Sequence, residues 1–433
     1  MRIAVVGAGI VGLATAYELA CDDHQVTLFE RRSSVAAEAS FANAGVMAPG
    51  YVAPWSAPGM LRKVLGQIGR RDAAVRLAAL PGPALASWLW RWWRACSAPR
   101  HLAHRNAMLA LATTSQVRTR EIAAKLSIEH EHTRGLLVLL RSERELARAR
   151  PGLNWLTERG VAFHLVDAAV CRRIEPALDK ATPLCAGIYQ PGADVGNCRL
   201  FAIGLKAELQ RRGVEFRFSQ AVHRLTPGRP EVIVDSQALA SDTDSTPANP
   251  DRARSERFDA VIVCAALESC ALLRPHGLNL PLLPVYGYSI TLPVLQFETY
   301  PDTGPRGALI DERYKVAISR LGERVRVAGG AELGGARDRL LAAPITTLHR
   351  VLQDWFPSAT GHAQAQTWKG ARPMSPDGPP VIGAADLPGV WVNTGHGSSG
   401  WALACGSARL LADAVAGRKP AIDVSRFSPQ RWR

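Results

Sequence analysis

The chain opens on a short apolar run, Arg2–Val6, followed by closely spaced glycines and a helix-like segment, Gly12–Ala20. Gln25–Glu30 then alternates as a strand does, so the first thirty residues predict a βαβ unit. Ala39–Trp55, rich in Gly, Ala and Pro, predicts an extended loop. Pro81–Leu140 predicts largely helical structure, including the stretch Ser87–Cys96 with Trp88, Trp90, Trp92 and Trp93. Helical periodicity returns over Arg199–Arg212, Gly213 stops it, and Val214–Phe218 alternates like a strand. Ser236–Arg257 is polar and predicts a hairpin tip or a disordered insertion. Phe258–Ala266 predicts a buried strand, and Lys315–Leu321 with Arg324–Ala328 a β-hairpin about Gly322-Glu323. Near the end, Gly395–Gly400 leads into an apolar helix, Trp401–Val415. No internal repeat interrupts this series.

At 433 residues the chain exceeds one ordinary core, so two domains are expected, not necessarily contiguous. A composition of 47% apolar and 21% charged residues suits a soluble globular protein. The net charge of +14 invites an anionic partner, or is a solvated basic surface. No block of five or six like charges occurs, which argues against a nucleic-acid tail. The eight cysteines make no CxxC pair and no Cys/His cluster with zinc-like spacing, predicting free thiols in a reducing compartment and no metal site. The apolar first twenty residues resemble a signal peptide, but their glycines and the following strand argue against one. No uncharged stretch reaches the ~20 residues needed to cross a bilayer. A soluble or peripheral protein is expected.

The sharpest local signal is Gly7-Ala8-Gly9-Ile10-Val11-Gly12, directly after a strand and opening a helix. Gly7 permits the turn, Gly9 admits a pyrophosphate, and Gly12 lets helix pack on strand. The helix N-terminus offers free N–H donors to phosphate. Glu30 falls where a carboxylate accepts ribose hydroxyls, and would repel a 2′-phosphate. A tight βα turn without ligand is the bland alternative. The N-terminal position of the fingerprint and a second Gly-rich strand–loop–helix, Val390–Ala404, favour FAD over NAD.

Longer motifs carry more. Ala42-Asn43-Ala44-Gly45, Pro49-Gly50-Tyr51-Val52-Ala53-Pro54-Trp55, Gly287-Tyr288-Ser289 and Tyr314-Lys315-Val316-Ala317-Ile318 occur in that order. Gly370–Gly378, Asn393–Gly397, Gly400-Trp401 and Ala404–Ser407 follow. With these the chain resembles the bacterial D-amino acid dehydrogenase small subunit, within the D-amino acid oxidase and glycine oxidase superfamily. The resemblance implies an α/β fold: a Rossmann-type FAD-binding domain, glutathione-reductase-like, and a second α+β substrate domain on an antiparallel sheet. The FAD-binding parts fall at 1–80, 161–282 (with the polar insertion 236–257) and 361–433, the substrate parts at 81–160 and 283–360. It implies non-covalent FAD and oxidative deamination of small D-amino acids to 2-oxo acids and ammonia by hydride transfer to flavin N5. Electrons would pass to a quinone or other respiratory acceptor, at the cytoplasmic face of the inner membrane. The chain departs from the family in Val285-Tyr286 before Gly287, in Phe41, and in its long polar insertion. An oxidase or dehydrogenase of cyclic or secondary amino acids (hydroxy-D-proline, sarcosine, glycine) is therefore the alternative. A non-catalytic dinucleotide-binding protein is a second, of another class.

Positioning is the main task of such a site, because the flavin does the redox work. A planar guanidinium grips both carboxylate oxygens, and Arg372 is the candidate. Tyr288 resembles a pocket tyrosine orienting carboxylate or amine, or is a cross-strand packing residue. Tyr51 lines or closes the pocket, or packs in the core. His396 bonds to the ring, shuttles a proton, or caps a helix. Asn43, Ala44 and Gly45 are expected along the cofactor, and Val222 against the adenine. The resemblance also places Val6, Arg31, Ser40, Val46, Ala265, Gly370, Gly395, Gly397, Gly400 and Trp401 in the cofactor site. The stretch Trp88–Trp93 suits a membrane interface; a buried aromatic helix rimmed by arginines is the alternative.

Overall fold

The computed structural model describes residues 1–66, 73–78, 82–228, 231–238, 253–295, 303–360 and 364–432. Its first sheet has six strands, in the order Val381–Leu387, Val390–Thr394, Ala260–Val263, Arg2–Val6, Gln25–Phe29 and Glu215–Arg217. All neighbours are parallel except the first pair. Ile3–Val6 is buried on both faces, which explains an apolar run without alternation. Ile3 and Val5 face a core shared with the helices Ile10–Cys21, Cys198–Arg211 and Gly400–Val415. Ala4 and Val6 face a core shared with Leu225, Val232 and Val234 of a three-stranded antiparallel sheet.

The arms of the expected polar insertion are two of those three strands, Val232–Ala238 and Ala253–Phe258, paired from Val232↔Phe258 to Gln237↔Ala253. Its centre, 239–252, lies outside the described residues.

The second large sheet has ten strands and is mostly antiparallel. Leu283–Pro293 pairs with Gln366–Met374 on one side and Arg324–Leu333 on the other. Beyond these lie Val316–Leu321, Ala308–Asp311, Thr133–Leu140, Ala186–Val195 and Val46–Met47. One face packs on the helix Ala342–Trp355 through Tyr288, Ile290, Val316 and Ile318. The other face meets the helix Glu143–Glu158 through Val138, Ile188 and Ile310, and elsewhere opens on a cavity.

Two differences from the sequence reading follow. Thr133–Leu140 is a strand, not part of a helix. It is a central strand apolar on both faces, and such a run has no period to separate it from a buried helix. The strands Val46–Met47, Ala186–Val195 and Gln366–Met374 pair in the ten-stranded sheet, although their segments were expected in the nucleotide unit. The helices Pro83–Ala95 and Ala98–Leu126 form as expected, with Pro81 outside the described residues.

Candidate active site

A cavity of about 980 Å³ runs between the two large sheets. One end is built by the nucleotide turn. Val6, Gly7, Gly9, Ile10 and Val11 line it, and the helix Ile10–Cys21 points its N-terminus there with no side-chain cap. A Cβ on Gly9 would meet only Ser40 Oγ, at 3.6 Å, so the space above it is free for a ligand. Gly12 does not line the cavity: a Cβ there would lie 1.8 Å from Gly7 O, so its role is close packing within the turn. Ser40 Oγ accepts from Ile10 N at 3.1 Å.

Glu30 is buried at the end of the second strand and lines the cavity. Its carboxylate accepts from Ala8 N at 2.7 Å and Arg32 N at 2.8 Å. Burial raises its pKa, partly offset by those two donors. Arg31, also on the wall, is tied to Glu38 at 3.2 Å and Glu268 at 2.8 Å. Val222 and Ala265 complete this end.

The segment Ala42–Val46 lies as a shelf on the ten-stranded sheet. Ser289 Oγ donates to Ala42 O at 2.9 Å and Ser319 Oγ to Ala44 O at 2.7 Å. Arg326 donates to Asn43 O at 3.3 Å and Trp401 Nε1 to Gly45 O at 3.2 Å. Asn43 Oδ1 accepts from Gly45 N, closing the turn. Asn43, Ala44, Gly45 and Val46 all line the cavity. From the far side, Gly395, His396, Gly397 and the N-terminus of Gly400–Val415 close in, so two helix N-termini open on one cavity.

One cross-strand row underlies the same space: Trp368, Ser289, Ala328, Ala317, Ile310, Val138 and Ile188, each paired with the next, and all but Ser289, which lies under Ala42 O, line the cavity. Its alanines leave a low floor. Arg372 pairs with Val285, and its side chain lies over Gly287, where a Cβ would be 2.2 Å from Nη2. A β-bulge in Arg324–Leu333 turns Gly330 to φ +73°, and Gly330 O accepts from Arg372 Nη1 at 2.7 Å. That is the one hydrogen bond Arg372 makes among the described residues, and no acid pairs with it. Burial pulls its pKa down to about 10. Gly370 lines the cavity beside it, with room only for the Trp368 ring over its Cα.

Tyr288 sits at the wall, but on the face opposite Arg372. Its hydroxyl donates to Glu332, which is buried and paired with Lys369 Nζ at 3.0 Å. Burial, then Glu332, pushes its pKa well up. The geometry favours the cross-strand reading over the ligand-orienting one. The reason is strand phase: alternation puts residue 288 on the face opposite Gly287 and Arg372, toward Glu332.

His396 is buried, and its Nε2 is 2.9 Å from Ser407 Oγ, which donates to Ala404 O. Burial lowers its pKa to about 3. Ser407 fixes the ring, and burial favours its neutral form. Tyr51 lines the cavity with Lys315 Nζ 6.0 Å from its ring centre. Lys315 pairs with Glu312, and both line the wall. Ser289 stood in the sequence only as part of the Gly287-Tyr288-Ser289 motif, with no role given, and Ser319 and Arg326 were not singled out. Their only signal was polar positions within otherwise apolar strands.

Residues 2–414 match the family model of FAD-dependent oxidoreductases designated DAO. The chain belongs to that family. A D-amino acid dehydrogenase of Rhizobium rhizogenes is 36% identical over 437 residues, covering all of both chains. Another, of Methylobacterium nodulans, is 38% identical over 434 residues, covering 100% of this chain and 99% of its own. The fold is that of glycine oxidase from Geobacillus kaustophilus, with a TM-score of 0.75 at 20% identity over 99% of each chain. The enzyme is thus an FAD-dependent oxidoreductase. The residues at the cavity fit FAD: an open space above Gly9, a buried acid after the second strand, and two helix N-termini facing one cavity of about 980 Å³.

Proposed function

We propose that the enzyme oxidises D-amino acids at Cα–N to imino acids, which water hydrolyses to 2-oxo acids and ammonia. The single observation that carries this is Arg372: a half-buried guanidinium with one backbone acceptor, no acid partner, and the cavity before it. A substrate carboxylate supplies the missing charge. Bound FAD accepts the two electrons. Gly7, Gly9 and Ile10 would hold its diphosphate, Glu30 its ribose, and Ala42–Val46, Gly395–Gly397 and the Gly400–Val415 terminus its ring system. The names of the full-length relatives and the match of the two nucleotide motifs support this reading.

The chain's own contribution is placement. Gly330 O fixes the Arg372 fork, so the substrate carboxylate is held bidentately and its Cα is set over the floor of Ala317 and Ala328. Val138, Ile188 and Ile310 keep that space dry. His396, being neutral, adds no charge. Cys264 also lines the cavity, but burial pushes its thiol up to about 12, and His396 is held by Ser407, which favours a cofactor bound without a covalent link.

The acceptor we propose is a membrane quinone, reached by peripheral attachment. Residues 39–120 hold eleven of the Lys and Arg residues against one acid, Asp72, so the basic excess is uneven along the sequence, though Arg118 and Arg120 pair with Glu18 and Asp194. On the helix Pro83–Ala95, Trp90 and Trp93 stack at 5.0 Å and stay 57% and 48% exposed, beside Arg91 and Arg94. Trp88 and Trp92 are buried, with Trp88 Nε1 donating to Met374 O. No helix among the described residues is long and apolar enough to cross a membrane.

Turnover of D-alanine against L-alanine with a dye acceptor, with and without oxygen, tests the reading. Oxidation of the D-isomer alone is expected, without stoichiometric peroxide. Equal use of both isomers would overturn it.

A further inference from the structure

The cavity holds a second guanidinium that the chain leaves unneutralised. Arg105, in the helix Ala98–Leu126, lines it. Its Cζ lies over the ring of Trp155, 3.7 Å from the ring centre. Its Nε is buried with no hydrogen-bond partner. Burial alone lowers its pKa, with no carboxylate near enough to oppose the shift. Resting on the ring face leaves the N–H donors of the fork unused, which is how a guanidinium is kept ready for an oxyanion.

The walls around it say what reaches it. Leu153 and Leu156 of the helix Glu143–Glu158, with Val138 and Ile188 of the sheet, line this lobe with hydrocarbon. Tyr51 and Lys315 stand on the same wall, but the ammonium is already matched by Glu312. Two guanidinium groups without acid partners on the wall of one cavity, with hydrocarbon also lining it, fit a ligand with two acid groups on a methylene spacer.

We propose that Arg105 is a second carboxylate site, so that the enzyme prefers dicarboxylic D-amino acids, with the α-carboxylate at Arg372 and the remote one at Arg105. This rests on the assignment of Arg372 to the α-carboxylate. Methylenes pack on the apolar walls, and the remote oxygen pair takes the free edge of the fork. A substrate lacking that group leaves the Arg105 donors desolvated and unmatched, which is the stronger form of discrimination.

A chain-length ladder tests this on the holoenzyme: D-alanine, D-aspartate, D-glutamate, D-2-aminoadipate and D-2-aminopimelate. One diacid is expected to exceed D-alanine in kcat/KM. Arg105→Leu should lower that ratio by roughly ten- to a hundredfold, the usual worth of a charged hydrogen bond. Arg105→Lys, which keeps charge without the fork, should recover part of it and covers the case in which the leucine variant does not fold. A second readout needs no turnover: linear dicarboxylates from succinate to pimelate should raise the melting temperature more than butyrate does, and Arg105→Leu should abolish the difference. Equal ratios in wild type and variants, with dicarboxylates no better than butyrate, would overturn the proposal. Failure to oxidise any D-amino acid, with dicarboxylate stabilisation intact, would instead remove the dehydrogenase reading and leave Arg105 as an anion site.

Discussion

Arg372 is half-buried with no acid partner, so desolvation disfavours its charge and a single backbone acceptor, Gly330 O, offsets little of it. Arg372→Leu should therefore leave the melting temperature level or raise it, while the KM for D-alanine rises roughly a hundredfold, for the loss of a bidentate charged pair. A fall in melting temperature with KM unchanged would make the residue structural. His396 gives a pH prediction. Its folded pKa of about 3 lies below the unfolded 6.5, so its contribution to stability is full above 6.5 and is lost as pH falls from there toward 3. Turnover should show no His396 limb between pH 5 and 8, and His396→Gln should leave the profile's shape intact; a limb near 6.5 that vanishes in the variant would contradict this. The sequence already pointed to Arg372, because it sits between Gly370 and Pro373 in a long family motif, although that segment reads as a stiff loop and is the strand Gln366–Met374. It could not place Tyr288, because which face of a strand meets the cavity depends on its partners.

At the scale of elements, two glycines of one turn do different work. Gly9 has φ −68° and open space ahead of it, so Gly9→Val should fold but retain little FAD. Gly12→Val should not fold, since its Cβ would overlap Gly7 O. Comparison of melting curves and bound-flavin absorbance separates the two, and a Gly9→Val protein that keeps its flavin would remove the cofactor from that end. The bulge at Gly330 makes a similar point. A substitution there strains a φ of +73° and shifts the carbonyl that holds Arg372. The βαβ unit and the terminal Gly-rich helix were legible because their glycines mark positions where backbone must pass close. The strand Thr133–Leu140 and the bulge were not, since one has no periodicity and the other is a property of pairing.

For the whole molecule, the uneven charge sets how it meets its surroundings. The Trp90–Trp93 pair, flanked by Arg91 and Arg94, is expected to bind vesicles with anionic headgroups and to release them as salt screens the attraction. Trp90→Ala with Trp93→Ala should shift the protein to the soluble fraction, whereas the buried Trp88 and Trp92 should instead affect folding. Unchanged partition in the double variant would leave the basic face merely solvated. The two-sheet architecture followed from family motifs and alternation. The assignment of Ala186–Val195 and Gln366–Met374 to the larger sheet did not, because a strand's sheet is chosen by long-range pairing.

The most direct measurement is anaerobic bleaching of the bound flavin by D-alanine, in wild type and in Arg372→Leu. Full bleaching by the D-isomer alone, with the half-saturating concentration raised roughly a hundredfold in the variant, is the predicted result. The same half-saturation in both proteins would mean that Arg372 does not hold the substrate.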